Sequence, residues 1–239
     1  MMTKVVYFNK YDDRNAYHWE ECNRRAPNYN PPLEARYEVV AREVRKLAPA
    51  GRILDVGCGD AYLVAQTSEF ANEIIGIDSE PRAVELANQL LHDRRNCSVI
   101  HGDCYHLPFE DSSFDVVLLT DVIEHLKDPG ACLDSIRRVL RPTGVLILTT
   151  PKWRPDRMWD DRHEKEYKEA ELKELLEKAF YQVTISYFWP IRWSNYYSTR
   201  IGWKACKYLT RYVFNPFLRE SFVNGDQYGQ LKACCTKPR

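Results

Sequence analysis

Short apolar runs alternate with helix-like patterns through the middle of the chain. The apolar runs predict strands at residues 53–56, 74–77, 98–101, 114–120 and 145–149. Helical spacing of apolar residues between them predicts helices at residues 61–70, 81–91 and 131–140. Because parallel strands need crossover connections, this alternation predicts an α/β fold, a doubly wound sheet with helices on both faces.

Weaker patterns flank this region. Apolar residues recur at helical spacing from Tyr37 to Leu47, and Pro49-Ala50-Gly51 ends that helix. Beyond the core, the pattern predicts a helix at 169–180, a strand at 182–189, an irregular aromatic segment at 190–225 and a last strand at 228–236. We therefore predict one domain over residues 1–239, made of an N-terminal helical cap (1–50), an α/β core (51–189), an aromatic and basic cap insert (190–225) and the last strand (226–239).

Composition narrows the class of protein. The 239 residues are 44% hydrophobic and carry 34 basic and 34 acidic side chains, so the net charge is zero and argues against nucleic acid as a partner. The mean hydropathy of −0.52, the absence of a long apolar run and the absence of a signal-peptide pattern predict a soluble, cytoplasmic protein. Eight cysteines without a C-x-x-C pair give no support to a zinc finger or a thioredoxin motif.

A glycine-rich turn is the first candidate for chemistry. The predicted strand at 53–56 runs into Gly57-Cys58-Gly59 and then into a helix, so backbone N–H groups can approach a ligand closely. Asp78 ends the next strand, twenty-one residues after Gly57, where a carboxylate can accept hydrogen bonds from ribose hydroxyls. Tyr62 occupies the third glycine position of the dinucleotide fingerprint. The pattern therefore predicts an adenosine-containing cofactor other than NAD.

Several motifs occur in order at specific separations. They are L-D-V-G-C-G-D-A, G-I-D-S, H-G-D-C-Y-H-L-P-F-E-D-S-S-F-D-V-V, D-V-I-E-H-L-K-D-P and R-V-L-R-P-T-G-V-L-I-L-T-T-P. Over about residues 50–185 this series resembles class I methyltransferases that depend on S-adenosylmethionine (SAM), most closely the branch of the ubiquinone-biosynthesis O-methyltransferases. The resemblance implies a Rossmann-like sheet of seven strands, mostly parallel with an antiparallel last strand, and SAM as the cofactor.

The resemblance also implies roles for the glycine turn. Gly57 and Gly59, with Cys58 between them, would pass the methionine part of SAM while Asp55 supports the turn. Asp78 would bind the ribose hydroxyls with Ser79 beside it.

Three further positions complete the cofactor site that the resemblance implies. Asp103 would accept from the adenine amino group, and the backbone N–H of Cys104 would meet the adenine ring. Thr120 would offer its carbonyl near the methionine amino group. Ala61 stands where the family usually has glycine, and its small side chain permits close helix packing.

Two clusters could supply the chemistry of methyl transfer, which needs an oriented nucleophile and a base for its proton. His163, in the loop at 162–167, is the first candidate for the general base, and a loop-orienting role is the alternative. Asp121 begins the second cluster, in which Glu124 and His125 follow at helical spacing. Together with His163 this cluster could bind a divalent metal, or it could be a structural signature without metal.

The segments before and after the α/β core indicate which acceptor and which partners to expect. Aromatic side chains before and after the core favour a flat or apolar small molecule, methylated on a hydroxyl oxygen. An RNA 2′-O-methyltransferase and a non-catalytic partner-binding protein are the alternatives, and the sequence leaves the oligomeric state open. Residues 190–220 carry six basic side chains and one acidic side chain. The pattern favours a cap helix with a solvated basic face, and peripheral contact with an anionic membrane or an acidic partner stays open.

Overall fold

The structure is a computed structural model that describes residues 10–156, 158–223 and 225–239. Within these residues one sheet contains seven strands: β1 (Arg52–Val56), β2 (Glu73–Asp78), β3 (Cys97–His101), β4 (Phe114–Thr120), β5 (Leu140–Pro151), β6 (Phe180–Pro190) and β7 (Tyr228–Pro238). Their order is β3-β2-β1-β4-β5-β7-β6. Strands β1 to β5 pair in parallel, whereas β7 runs antiparallel to β5 and β6. The predicted seven-stranded sheet with its antiparallel last strand is confirmed.

Helices cover both faces of this sheet. The described residues form α1 (Lys10–Arg14), α2 (Tyr17–Glu21), α3 (Pro31–Lys46), α4 (Tyr62–Thr67), α5 (Pro81–Leu90), α6 (Pro129–Val139), α7 (Glu169–Ala179), α8 (Ile191–Tyr197) and α9 (Arg200–Tyr212). Helices α6 and α7 bury their apolar stripes in the core on one face, and α3, α4 and α5 do so on the other. This two-sided covering is the doubly wound arrangement that the alternating pattern predicts.

Side-chain caps set several helix starts. Asp128 accepts a hydrogen bond from the backbone N–H of Ala131, so α6 begins at Pro129, two residues before the predicted start. Asn30 caps α3 in the same way, by accepting from Leu33, and two prolines follow it in the first turn. Proline suits a helix start because its missing N–H would have no intrahelical partner there.

Residues 190–225, predicted as an irregular segment that includes a basic amphipathic helix, contain the two helices α8 and α9. Thr199 caps α9 by accepting from the N–H of Gly202, and the face formed by Gly202, Cys206 and Thr210 is buried. Cys206 packs in a small apolar cluster with Ala35 and Phe217. These small residues allow α9 to lie close to the rest of the protein. A search for large apolar residues at helical spacing does not find this face, because its residues are small. None of the described helices combines the length and the apolar character needed to cross a bilayer.

Candidate active site

The turn after β1 has an unusual backbone. Gly57, Gly59 and Ala61 have φ angles of 74°, 56° and 59°, which lie in the left-handed region that favours glycine. A β-carbon at Gly57 would collide with Val122, and one at Gly59 would collide with the Tyr11 hydroxyl. Positions 57 and 59 therefore both favour glycine, because the backbone is left-handed there and a β-carbon would meet a neighbouring side chain. Ala61 tolerates its conformation at a cost of roughly 1–2 kcal/mol, and α4 begins directly after it.

A cavity of about 520 Å³ opens beside this turn, at the carboxyl ends of the central strands. Open α/β sheets bind ligands at this edge. Seven of the nine predicted cofactor residues line it: Asp55, Gly57, Cys58, Gly59, Asp78, Ser79 and Thr120. The two predicted catalytic residues, His163 and Asp121, line it as well.

The remaining two predicted cofactor residues are absent from the lining of this cavity. Asp103 accepts hydrogen bonds from the backbone N–H groups of Tyr105 (2.8 Å) and His106 (2.9 Å), which fixes the turn after β3. Cys104 contacts Cys132, and the hydrogen bond from that thiol lowers the pKa of Cys104. The adenine contacts that the resemblance implies for Asp103 and Cys104 stay predictions.

Asp78 holds the glycine turn against the end of β2. Its carboxylate accepts from the N–H of Gly59 (2.7 Å) and from the N–H of Glu80 (2.9 Å), and burial raises its pKa. Asp55, one strand away, is also buried, and burial followed by the charge of Asp78 raises its pKa to about 8. Two carboxyl groups thus face the cavity where a cationic ligand would relieve their desolvation.

The N-terminal helices close the cavity over the glycine turn. Asp60 is fully buried, and its carboxylate binds His18 twice, at Nδ1 (2.9 Å) and at the backbone N–H (3.1 Å). The Trp19 indole donates to the Asp60 carbonyl (2.8 Å). Sequence reasoning missed the contact between His18 and Asp60, because forty-two positions separate the pair and the glycine motif that contains Asp60 does not identify its partner.

Arg36 of α3 brings a positive charge into the cavity. Its guanidinium donates to Asp121 (2.8 Å) and lies over the Trp189 ring, 5.7 Å from the centroid. Asp121 itself has a left-handed backbone, with φ of 52°, and also accepts from the Thr149 hydroxyl. The sequence analysis did not single out Arg36, since its acidic partner lies eighty-five positions away.

Asp121 is paired with Arg36 and is not one of the described residues that cluster as potential metal ligands. The potential ligand atoms that lie within 4.8 Å of one another belong to Glu124, His125 and His163. The expectation that Asp121, Glu124 and His125 face the same way is wrong, because residues 123–125 form only a short 3-10 turn and Asp121 is paired with Arg36.

Glu124, His125 and His163 have the surroundings of metal ligands. Nδ1 of His125 is 3.2 Å from the Arg162 carbonyl oxygen, and Nδ1 of His163 is 2.7 Å from Glu166. Metal-binding histidines commonly use one ring nitrogen in this way while the other coordinates. Burial raises the pKa of Glu124 well above its ordinary value and lowers that of His125. A cation would be the natural charge partner of an ionised Glu124, so this donor set fits a divalent metal.

Aromatic rings and unpartnered polar atoms contribute to the lining of the cavity. Trp189 and Trp159 both line it, with ring centroids 5.8 Å apart. Tyr11 and Tyr17 line it from the N-terminal side, whereas Trp193 and Tyr197 pack in the cluster around Phe217 and Tyr196 is exposed.

Four buried polar atoms of cavity-lining side chains have no hydrogen-bond partner among the described residues: Arg36 Nε, Thr120 Oγ1, Trp189 Nε1 and Gln230 Oε1. Buried polar atoms normally find partners, so this concentration points to a polar ligand.

Comparison with known proteins agrees with the geometry. Residues 54–148 match the family described as a methyltransferase domain. A probable S-adenosylmethionine-dependent methyltransferase of Mycolicibacterium smegmatis is 34% identical over 156 residues, which are 62% of this chain and 58% of that protein. The ubiquinone biosynthesis O-methyltransferase of Rhodopseudomonas palustris is 31% identical over 158 residues, 59% of each chain. The chain thus spans somewhat more than half the length of these two relatives.

A solved structure resembles the whole chain in fold. The phosphoethanolamine N-methyltransferase 2 of Haemonchus contortus, in complex with phosphomonomethylethanolamine and S-adenosylhomocysteine, superposes with a TM-score of 0.69 and 19% identity, covering 99% of this chain and 62% of that one. The glycine turn, the acidic strand end and the cavity lie within or beside the matched domain. Residues 54–148 thus match a methyltransferase domain, and the relatives that share this region include SAM-dependent methyltransferases.

Proposed function

We propose that the protein transfers the methyl group of SAM to a hydroxyl oxygen of a small-molecule acceptor. The observation that carries this proposal is the pair formed by His163 and Glu166 at the cavity, with Nδ1 and the carboxylate 2.7 Å apart. Both side chains are nearly inaccessible, at 6% and 2% exposure. A buried carboxylate orients the imidazole and stabilises its charged form, which is how a histidine becomes an effective base.

The cavity has two sides. SAM supplies a methyl group on a positively charged sulfur. Gly57 and Gly59 let the backbone approach the cofactor, Asp78 is placed for the ribose hydroxyls, and the Arg36 guanidinium offers charge for the methionine carboxylate. Thr120 contributes its unpartnered hydroxyl on the same side. Asp55 lowers the energy of a cationic ligand when it is ionised.

The acceptor side lies beyond β4, towards β5, β7 and β6. Trp159 and Trp189 supply flat apolar walls, while the unpartnered indole N–H of Trp189 and the amide oxygen of Gln230 can hold a polar substituent. These features favour an aromatic or otherwise flat acceptor with hydrogen-bonding groups. His163 would accept the hydroxyl proton of the acceptor as its oxygen takes the methyl group and the methyl–sulfur bond breaks to leave S-adenosylhomocysteine, and the Glu166 carboxylate would stabilise the resulting imidazolium.

A metal-assisted form of the same reaction is the second candidate, favoured by the clustering of Glu124, His125 and His163. These residues would hold a divalent ion, whose chemistry is to bind the acceptor oxygen and lower its pKa. His163 would then be a ligand, and the hydroxyl proton would leave to solvent.

The test uses SAM carrying a labelled methyl group, a small-molecule metabolite extract and, separately, RNA. We expect label in a small molecule as an ether. His163→Ala should lower turnover by roughly 10²-fold or more while SAM affinity changes only a few-fold. His92→Ala is the matched control, since that histidine is 70% exposed and lies away from the cavity. Normal turnover by His163→Ala, or label on nitrogen, would contradict the proposal. A chelator separates the two candidates, because loss of activity that a divalent ion restores requires the metal.

A further inference from the structure

Helix α9 has three distinct faces. Gly202, Cys206 and Thr210 form the buried face, which packs towards α3 and Phe217. A helix on the surface of a protein usually presents only polar side chains on its remaining faces. In α9 one of the remaining faces is apolar.

The exposed apolar face is formed by Ile201, Tyr208 and Tyr212, with 76%, 64% and 68% of their surfaces accessible. They are spaced by seven and four residues, so they form one ridge along the helix. Val213 and Phe214, which follow directly after α9, are exposed as well, at 66% and 52%. An exposed apolar ridge of this kind marks an interaction surface.

A basic stripe borders the ridge. Arg200, Lys204, Lys207 and Arg211 recur at spacings of four, three and four residues. Lys207 donates to the Pro27 carbonyl and Arg211 to the Ala26 carbonyl, so neutral acceptors hold two of these side chains in place. Because the whole chain has zero net charge, the excess of positive charge is local to this surface.

We propose that α9 docks the protein on a membrane surface rich in anionic lipids. An amphipathic helix with basic side chains beside an apolar ridge lies in the headgroup region, where the apolar groups leave water and the cations meet lipid phosphates. An acidic protein or a nucleic acid would neutralise the basic stripe but would leave aliphatic Ile201 and Val213 without a matching surface. An anionic membrane offers phosphates to the basic stripe and an apolar region to the exposed ridge.

The docked surface is joined to the cavity by packed side chains. Cys206 on the buried face of α9 packs in one cluster with Phe217, whose ring meets Trp189 edge-on at 6.2 Å. Trp189 lines the cavity. Packed side chains thus connect the buried face of α9 with a residue of the cavity lining, although the docking itself does not depend on the proposed methyl transfer.

The test is flotation of the full chain with vesicles of phosphatidylcholine alone or mixed with phosphatidylglycerol. We expect binding to the mixed vesicles only, and a decline as salt rises. The triple variant Ile201→Ser/Tyr208→Ser/Tyr212→Ser should reduce the bound fraction at least about tenfold. Tyr181→Ser is the matched control, because Tyr181 is an exposed aromatic residue, 65% accessible, on β6. Unchanged circular dichroism and thermal stability of the variants establish that they fold.

A second pair of variants isolates the charge. Arg200→Ala/Lys204→Ala should also weaken flotation, whereas Lys173→Ala/Lys178→Ala on α7 removes the same charge from an exposed helix elsewhere and should not. Absence of flotation, equal binding to neutral vesicles, or equal loss in the control variants would overturn the proposal. Binding of the protein to polyglutamate or RNA with no flotation would overturn it too, and would assign α9 to that partner.

Discussion

At the scale of single residues, Asp55 shows how the cavity is prepared for a charged ligand. Burial, and then the neighbouring charge of Asp78, raises its pKa to about 8, whereas an aspartate in the unfolded chain titrates near 4. The folded state therefore holds a proton that the unfolded state has lost across that interval. It follows that the Asp55 contribution to the free energy of unfolding falls as the pH rises from about 4 to about 8.

Asp55→Asn removes this dependence. We expect the variant without cofactor to gain several degrees in melting temperature at pH 8 and much less near pH 5, at roughly 2–4 °C for each kcal/mol. The same variant should bind SAM more weakly, since an ionised Asp55 stabilises a cationic ligand. Thermal denaturation at the two pH values is the measurement. An equal shift at both would mean that Asp55 is already ionised throughout.

At the scale of elements, α1 and α2 are attached to the core through a few buried polar contacts. Asp60 binds the His18 ring and backbone, and Tyr11 and Tyr17 pack beside them. A hydrogen bond to a buried charged group contributes about 1.5–3 kcal/mol. Because few contacts hold α1 and α2, we expect these two helices to unfold locally, and to uncover the glycine turn, before the strands of the sheet separate.

Asp60→Asn tests this attachment. The amide keeps the shape of the carboxylate but loses its charge, so amide hydrogens of residues 10–22 should exchange at least about tenfold faster, as 1.4 kcal/mol is a factor of ten. Dissociation of SAM should also accelerate, while the exchange of the central strands stays unchanged. Asp93→Asn, at an 86% exposed side chain, is the control. If exchange rises equally throughout the chain, the variant weakens the whole fold instead.

At the scale of the whole molecule, the sheet edge places β1 and β2 at the proposed cofactor side of the cavity and β5, β7 and β6 at the proposed acceptor side. A ligand that contacts several of these strands binds the folded state and not the unfolded chain, so it stabilises the fold. At one hundred times its dissociation constant it stabilises the fold by about 2.7 kcal/mol.

Asp78→Ala should diminish this stabilisation. We expect SAM to raise the melting temperature of the wild-type protein and NAD to leave it unchanged. The variant should lose roughly 1–3 kcal/mol of SAM binding, because a partly buried ribose would lack its acceptor. Since Asp78 also holds Gly59 and Glu80, the quantity to compare is the SAM-dependent shift, not the starting temperature. A full shift in Asp78→Ala would remove Asp78 from the ribose site.

The sequence by itself determined the α/β sheet, the glycine turn and the acid at the end of β2. Each of these depends on neighbours in sequence: apolar alternation for the strands, left-handed backbone at Gly57 and Gly59, and a strand end at Asp78. These features can be predicted because the burial of side chains repeats with a fixed period along a strand or a helix. The predicted side chains at the cavity edge follow from the rule that parallel strands deliver their carboxyl ends together.

Only the tertiary structure decided which side chains meet across the cavity. Arg36 pairs with Asp121, which is not among the potential metal ligands Glu124, His125 and His163, and His18 of the N-terminal helices pairs with Asp60. These contacts join residues more than forty positions apart, and they form because burying a charge is costly unless folding brings it an oppositely charged or hydrogen-bonding partner. The exposed apolar face of α9 was decided in the same way, because a periodic apolar pattern does not say which of two apolar faces the rest of the protein will cover.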